Sequence, residues 1–314
     1  MPFPFLIGAA VIGAGLAGIG GHLSAKETNE KAQKIANEAK EKFEKAKANL
    51  ETKQADVNEC FSNYLDNKKD VLNTVMKRFF DSYNYIKSFN LKSSTGIAEI
   101  DQMEFGLSQL EELKNLAHVY NQANTDIDSS NAAIFLGAAA GPVAAATFAS
   151  GGILAATLPS PLAIIGAPVF LFSAFKADEK AHENLDKAET FAKETEVTVS
   201  KINANVKLCK AIIEKVNLYD ELLDQFHEVF VGYEKEMTKV IQSALKKSSD
   251  HKISPEMFTE ADLSLFAVTR NIAKAVKLII DTPIIDKDWH LTKDSEENYI
   301  ASQQLLEHVV EDKQ

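Results

Sequence analysis

The chain has 314 residues, with 45 acidic side chains against 34 basic ones and a net charge of −11. No basic stripe emerges from that balance, which speaks against nucleic acid as a partner and leaves hydrophobic contact as the route to any lipid surface. Its two cysteines, Cys60 and Cys209, give neither a metal spacing nor a disulfide framework; both fall on apolar helix positions, as free thiols of a reducing cytoplasm do.

Residues 1–21 are an apolar, glycine-rich segment. Gly13, Gly15 and Gly18 spell G-x-G-x-x-G, the dinucleotide fingerprint, but that motif needs a second strand and an acidic residue beyond its helix. Here the chain enters a helical, charged run with no second strand, and Glu38 falls on an exposed helix position. Small-residue packing explains the glycines better: Ala10, Ala14 and Gly18 lie four apart, as do Ala9 and Gly13, giving a close-contact face. Such a helix serves as a membrane anchor or as a plug against another apolar segment. It lacks the basic start and cleavage site of a secretory signal. The lysines after it, Lys26 to Lys40, mark that flank as cytoplasmic if it spans.

Residues 22–128 predict a long helix followed by a shorter one. Ala36, Phe43, Leu50, Val57, Tyr64 and Val71 recur every seven residues, with Ala39, Ala46 and Cys60 on the complementary line. That is an a/d seam in which alanine permits close packing. After Val71 the apolar face broadens through Leu72, Val75, Met76, Phe79, Phe80, Tyr83 and Ile86, as in a helix entering a larger core. A turn at Ser93–Gly96 precedes an amphipathic helix over about residues 95–126, with Ile97, Ile100, Met103, Leu107, Leu110, Ala117 and Tyr120 on its apolar face.

Residues 129–175 carry no charged side chain, a run well past the ~18 to 20 apolar residues of a spanning helix. Pro159 and Pro161 mark a turn, so the stretch reads as a helical hairpin. Its candidate membrane-inserting side chains are Ile134, Phe135, Leu136, Phe148, Ile153, Leu154 and Leu158 on the first arm. Leu162, Ile164, Ile165, Val169, Phe170, Leu171 and Phe172 follow on the second. The first arm reaches ~37 Å and the second only ~21 Å.

Residues 176–250 mirror the first long helix. Ala188, Thr195, Ile202, Cys209, Val216, Leu223, Phe230 and Met237 form one seven-residue line, with Leu185, Ala192, Val199, Val206 and Ile213 beside it. Residues 251–314 form a C-terminal helical region, with Ser254 as N-cap and Pro255 at the first helical position. A turn around Trp289 and a last helix from about 296 to 310 complete it. The residues assigned to helix packing are Gly13, Ala14, Gly18, Ala36, Phe43, Leu50, Val57, Ile202, Val216 and Leu223.

A search for chemistry returns little. None of the seven histidines forms a ligand spacing, and neither G-x-S-x-G nor a phosphate-binding loop appears. His227–Glu228 reads as a solvated or packing pair, and the carboxylates alternate with lysines as on a solvated face. No catalytic, cofactor-binding or metal residue is assigned.

The order of parts, with EKAQKIANEAKEKFEKAKANLE after the glycine-rich start and FKADEKAHENLDKAE after the apolar hairpin, resembles a widespread group of bacterial helical proteins. More loosely it is similar to apolipoprotein L-like proteins and α-helical pore-forming toxins. The resemblance implies insertion of residues 132–175 into a bilayer. The expectation is an all-α, elongated antiparallel bundle or coiled coil, membrane-associated on the cytoplasmic side with a soluble pool before insertion. It would be non-enzymatic, would insert its hairpin, and would oligomerise into a pore or lesion. Two alternatives stand beside it: a constitutive membrane-anchored coiled-coil scaffold, and a soluble helical bundle that binds a coiled-coil protein partner.

Overall fold

A computed structural model of the chain describes residues 25–91, 94–122, 181–249, 252–286 and 290–311. These fold as α1 (Ala25–Val71), a π-helical turn (Leu72–Met76), α2 (Lys77–Tyr83), α3 (Ala98–Asp101), α4 (Leu107–Gln122), α5 (Ala181–Lys247), a 3-10 turn (Pro255–Met257), α6 (Glu260–Asp281) and α7 (Lys293–Glu311). The all-α class read from the sequence holds among them. No strand is present among the described residues, only an isolated antiparallel bridge between Ile285 and Leu291.

Local chemistry sets the element ends. Asn73 and Thr74 turn their side chains back onto the carbonyls of Lys69 and Asp70, at 2.8 and 2.7 Å. Such back-bonds compete with the backbone ladder, and the helix widens to π geometry there. The single helix expected over 95–126 is instead two, α3 and α4. Gly106 starts the second one, its N–H held by the Gln109 side chain at 2.9 Å. The helix expected at Ser254-Pro255 begins later. Pro255 opens only a 3-10 turn, Phe258 is extended, and α6 starts behind Thr259, whose hydroxyl and Asp262 exchange a capping box. Four first-turn N–H groups always need partners, and a reciprocal cap supplies more of them than Ser254 does.

The described residues divide into two compact units: 25–43 with 181–197, and those from 44 to 122 with those from 198 to 311. The core of the first unit is built of Ala32, Ala36, Ala39, Ala188 and Phe191, with Ile35, Leu185 and Ala192 packed against it. Asn184 donates to the Asn29 side-chain carbonyl at 3.0 Å. The core of the second unit is large and aromatic. Tyr64, Phe79, Tyr219, Phe226, Phe230 and Phe266 are all fully buried, and Phe79 lies 5.4 Å from Phe230 and 5.1 Å from Tyr83.

Direction in the second unit follows from polar pairs. Cys60 meets Asn217, Asn67 meets Asp220, Arg78 meets Glu234 and Ser82 meets Thr238. The partner numbers rise together, so α1–α2 and α5 run parallel here. The antiparallel arrangement expected of the two long helices is corrected: a heptad seam specifies which face is buried but not the direction of its neighbour. α5 also runs parallel to α7, since Tyr219 bonds the Ser295 carbonyl and Tyr233 that of Val309. α6 packs against α7 as its sequence neighbour across the 282–292 turn.

Candidate functional site

Three groups of side chains in the second unit carry chemistry. The first lies between α1–α2 and α5. Asn67 donates to the carboxylates of Asp220 and Asp224 at 2.7 and 2.8 Å, and the Cys60 thiol to Asn217 Oδ1 at 3.0 Å. Burial pushes that thiol up to about 11, with Asp220 and Glu59 adding to the rise, so it is no thiolate nucleophile. His227 sits between Asp70, 3.6 Å from Nδ1, and Thr74, 3.5 Å from Nε2. The order carboxylate, imidazole, hydroxyl resembles a relay. Both contacts are too long for strong hydrogen bonds, and Thr74 already donates to the Asp70 carbonyl. The trio pairs helices.

The second group gathers at the C-terminal end of α6. Tyr64 donates to the Ile279 carbonyl at 3.2 Å and Lys68 to that of Ile280 at 3.0 Å. Two carbonyls of the last turn, which have no partner within the helix, are thus satisfied from α1, and an ammonium stands at the negative end of the helix dipole. Lys68 is buried and lies 4.3 Å from the Tyr64 ring centroid. Burial pushes its ammonium down to about 8, against the pull of Asp281. Lys277 binds Asp281 in its own helix and Glu112 of α4 at 3.2 Å. Desolvation raises the Asp281 carboxyl despite Lys277. Ion pairs of this kind fix neighbours in place.

The third group is the loop before α3. Asp101 accepts from Thr95 N–H and Thr95 Oγ1 at 2.8 Å, Ser94 Oγ at 2.7 Å and Gly96 N–H at 3.0 Å. Desolvation opposes ionisation, but these donors outweigh it and hold the carboxyl at about 2. Gly96 has φ +73°, a left-handed conformation that glycine adopts without strain. Beside the loop, Ser94, Thr95, Val268, Asn271, Leu305, His308, Val309 and Glu311 line a cavity of about 230 Å³.

Of the residues assigned to helix packing, Ala36, Leu50, Val57, Ile202, Val216 and Leu223 are buried and Phe43 is half-buried. Gly13, Ala14 and Gly18, the candidate membrane-inserting side chains from Ile134 to Phe172, and Trp289 lie outside the described residues. Membrane insertion is corrected as the reading of this chain. Among the described residues, no helix is long and apolar enough to cross a membrane. α1 and α5 have the length, but lysine and glutamate recur along their outer faces. A hairpin-inserting pore former is therefore not what these helices support. Among the described residues no three histidine, cysteine or carboxylate groups could hold a metal.

Sequence reasoning missed the Asp101 loop and the buried lysines Lys68, Lys215, Lys274 and Lys277. Their signal was positional. Lys68 follows Tyr64 by four and precedes Val71 by three, which places it on the buried face. No protein-family model, curated protein or solved structure matches the chain.

Proposed function

We propose that the protein is a non-enzymatic helical-bundle protein that works by binding helical protein partners, a second copy of itself among them. The observation that carries this reading is on the outer face of α7. Ile300, Gln303, Glu307 and Val310 are all exposed, Ile300 by 45% and Val310 by 41%. Their 3-4-3 spacing is that of one coiled-coil seam. An apolar residue at each end and polar residues between them suit a partner helix whose register is fixed by the polar positions. The placement of the other chemical groups supports the same reading, since the buried cations and the His227 trio are spent on joining helices.

The test is sedimentation of the full chain over a range of concentrations, alongside proximity labelling in the source cell, for wild type and Ile300→Lys/Val310→Lys. Both sites are exposed, so the variant should keep its fold by circular dichroism. The reading expects self-association or a labelled protein set that the variant loses. Identical monomers and identical labelled sets for the two proteins would refute it.

A further inference from the structure

The polar lining of the cavity beside the Asp101 loop is weighted toward acceptors: Asn271 and His308 each carry both donor and acceptor atoms, and the other polar groups accept. Ser94 Oγ donates to Asp101 and accepts from Gly96 N–H; Thr95 Oγ1 donates to Asp101 and accepts from Ile97 N–H at 3.1 Å. A hydroxyl has one donor and two lone pairs, so each has only acceptor capacity left. Asp101 stays ionised and keeps both protons committed to it. Glu311, exposed on α7, supplies a carboxylate to the same lining, and His308 and Val309 line the cavity from the neighbouring positions of that helix. Its remaining walls include Val268 and Leu305, which supply apolar surface for a short hydrocarbon chain. Neither cation of this stretch of α6 lines the cavity: Lys274 donates to the Ile100 carbonyl at 3.0 Å and Arg270 to that of Leu91 at 2.9 Å.

We infer that this cavity binds an alkylammonium or alkylguanidinium group, its cationic head toward Ser94, Thr95 and Glu311 and its aliphatic stem against Val268, Leu305 and Val309. The same chemistry is offered by a free aliphatic amine and by a lysine or arginine side chain of another protein. The inference goes beyond the partner-binding reading and stands whether or not the exposed face of α7 carries a helix.

The experiment is methyl-resolved NMR of the full-length protein titrated with n-butylammonium and n-butylguanidinium. 1-Butanol and butyrate serve as neutral and anionic controls, and N-acetyl-lysine methylamide as the side-chain arm. Saturable shifts of the Val268, Leu305 and Val309 methyls with the cations, and weaker or no shifts with the controls, are expected. Glu311→Gln, a change at an exposed helix end, should weaken cation binding about 2- to 5-fold, as for a rim ion pair. Thr95→Val should weaken it about 2- to 10-fold, the range of one hydrogen bond. Binding by the lysine derivative would point to a protein side chain, and binding by the simple cations alone to a free amine; either supports the inference. Equal response to 1-butanol, preference for butyrate, or no saturable shift in a protein of unchanged fold would overturn it. The Ile300→Lys/Val310→Lys variant, read in the same titration, separates this outcome from failure of the partner-binding reading.

Discussion

The two units solve the same packing problem with different side chains. In the first, α1 and α5 contribute Ala32, Ala36, Ala39 and Ala188 to a core whose one large buried member among the described residues is Phe191. In the second, α1, α2 and α5 carry Tyr64, Phe79, Phe226 and Phe230 into a core shared with α6 and α7. Alanine permits close approach but buries little area, whereas each aromatic removes a large area from water. A core of alanines should therefore be sensitive to added volume, and a core of aromatics to lost volume.

The largest test of that contrast is Phe230→Ala. Phe230 is fully buried against Phe79, and the change should cost about 3 to 5 kcal/mol in urea unfolding. A cost near zero would mean that the aromatic core is not what holds the second unit.

The next is the pH dependence of Lys68. Its folded-state pKa of about 8 lies below the ordinary 10.5, so the cost of burying its charge is fully present below pH 8. Between those two values the unfolded chain binds more protons, and stability must rise with pH. Cys60 acts in the opposite sense. Its thiol is raised from 9.0 to about 11, so it withdraws stability as pH climbs through that window. The measurement is therefore a difference, wild type against Lys68→Met, in which Cys60 cancels. Wild type should gain on the variant by a few kcal/mol between pH 8 and 10.5; a flat difference would place Lys68 in water.

Added volume is the converse test in the first unit. Ala36 is fully buried, and Ala36→Leu should cost about 1 to 3 kcal/mol through overpacking, whereas a neutral result would show a loose seam. The smallest effect is a gain. The Thr195 hydroxyl is buried without a hydrogen-bond partner among the described residues, so Thr195→Val should stabilise by about 1 kcal/mol in thermal unfolding.

The long helices were legible because their evidence repeats. Ala36, Leu50, Val57, Ile202, Val216 and Leu223 each sit in a seven-residue series, so one ambiguous residue changes nothing. The parallel direction was not legible, because it depends on single pairs such as Arg78 with Glu234, more than 150 positions apart. The start of α6 was missed because Ser254-Pro255 competes with Thr259–Asp262 within five residues, and only the full set of orphan N–H groups decides between them. The Asp101 loop has no period at all: its donors, Ser94, Thr95 and Gly96, converge only once the turn has formed.

The parallel course of α1–α2 and α5 underlies the account of the second unit, and paired cysteines test it most directly. With Cys60 and Cys209 replaced by alanine, Ser82→Cys/Thr238→Cys should close an intramolecular disulfide under mild oxidation, because Ser82 and Thr238 are in hydrogen-bond contact. Ser82→Cys/Asn217→Cys should stay open, since Asn217 lies 21 positions earlier on α5, roughly 30 Å along a helix. Closure of the second pair with failure of the first would contradict the account.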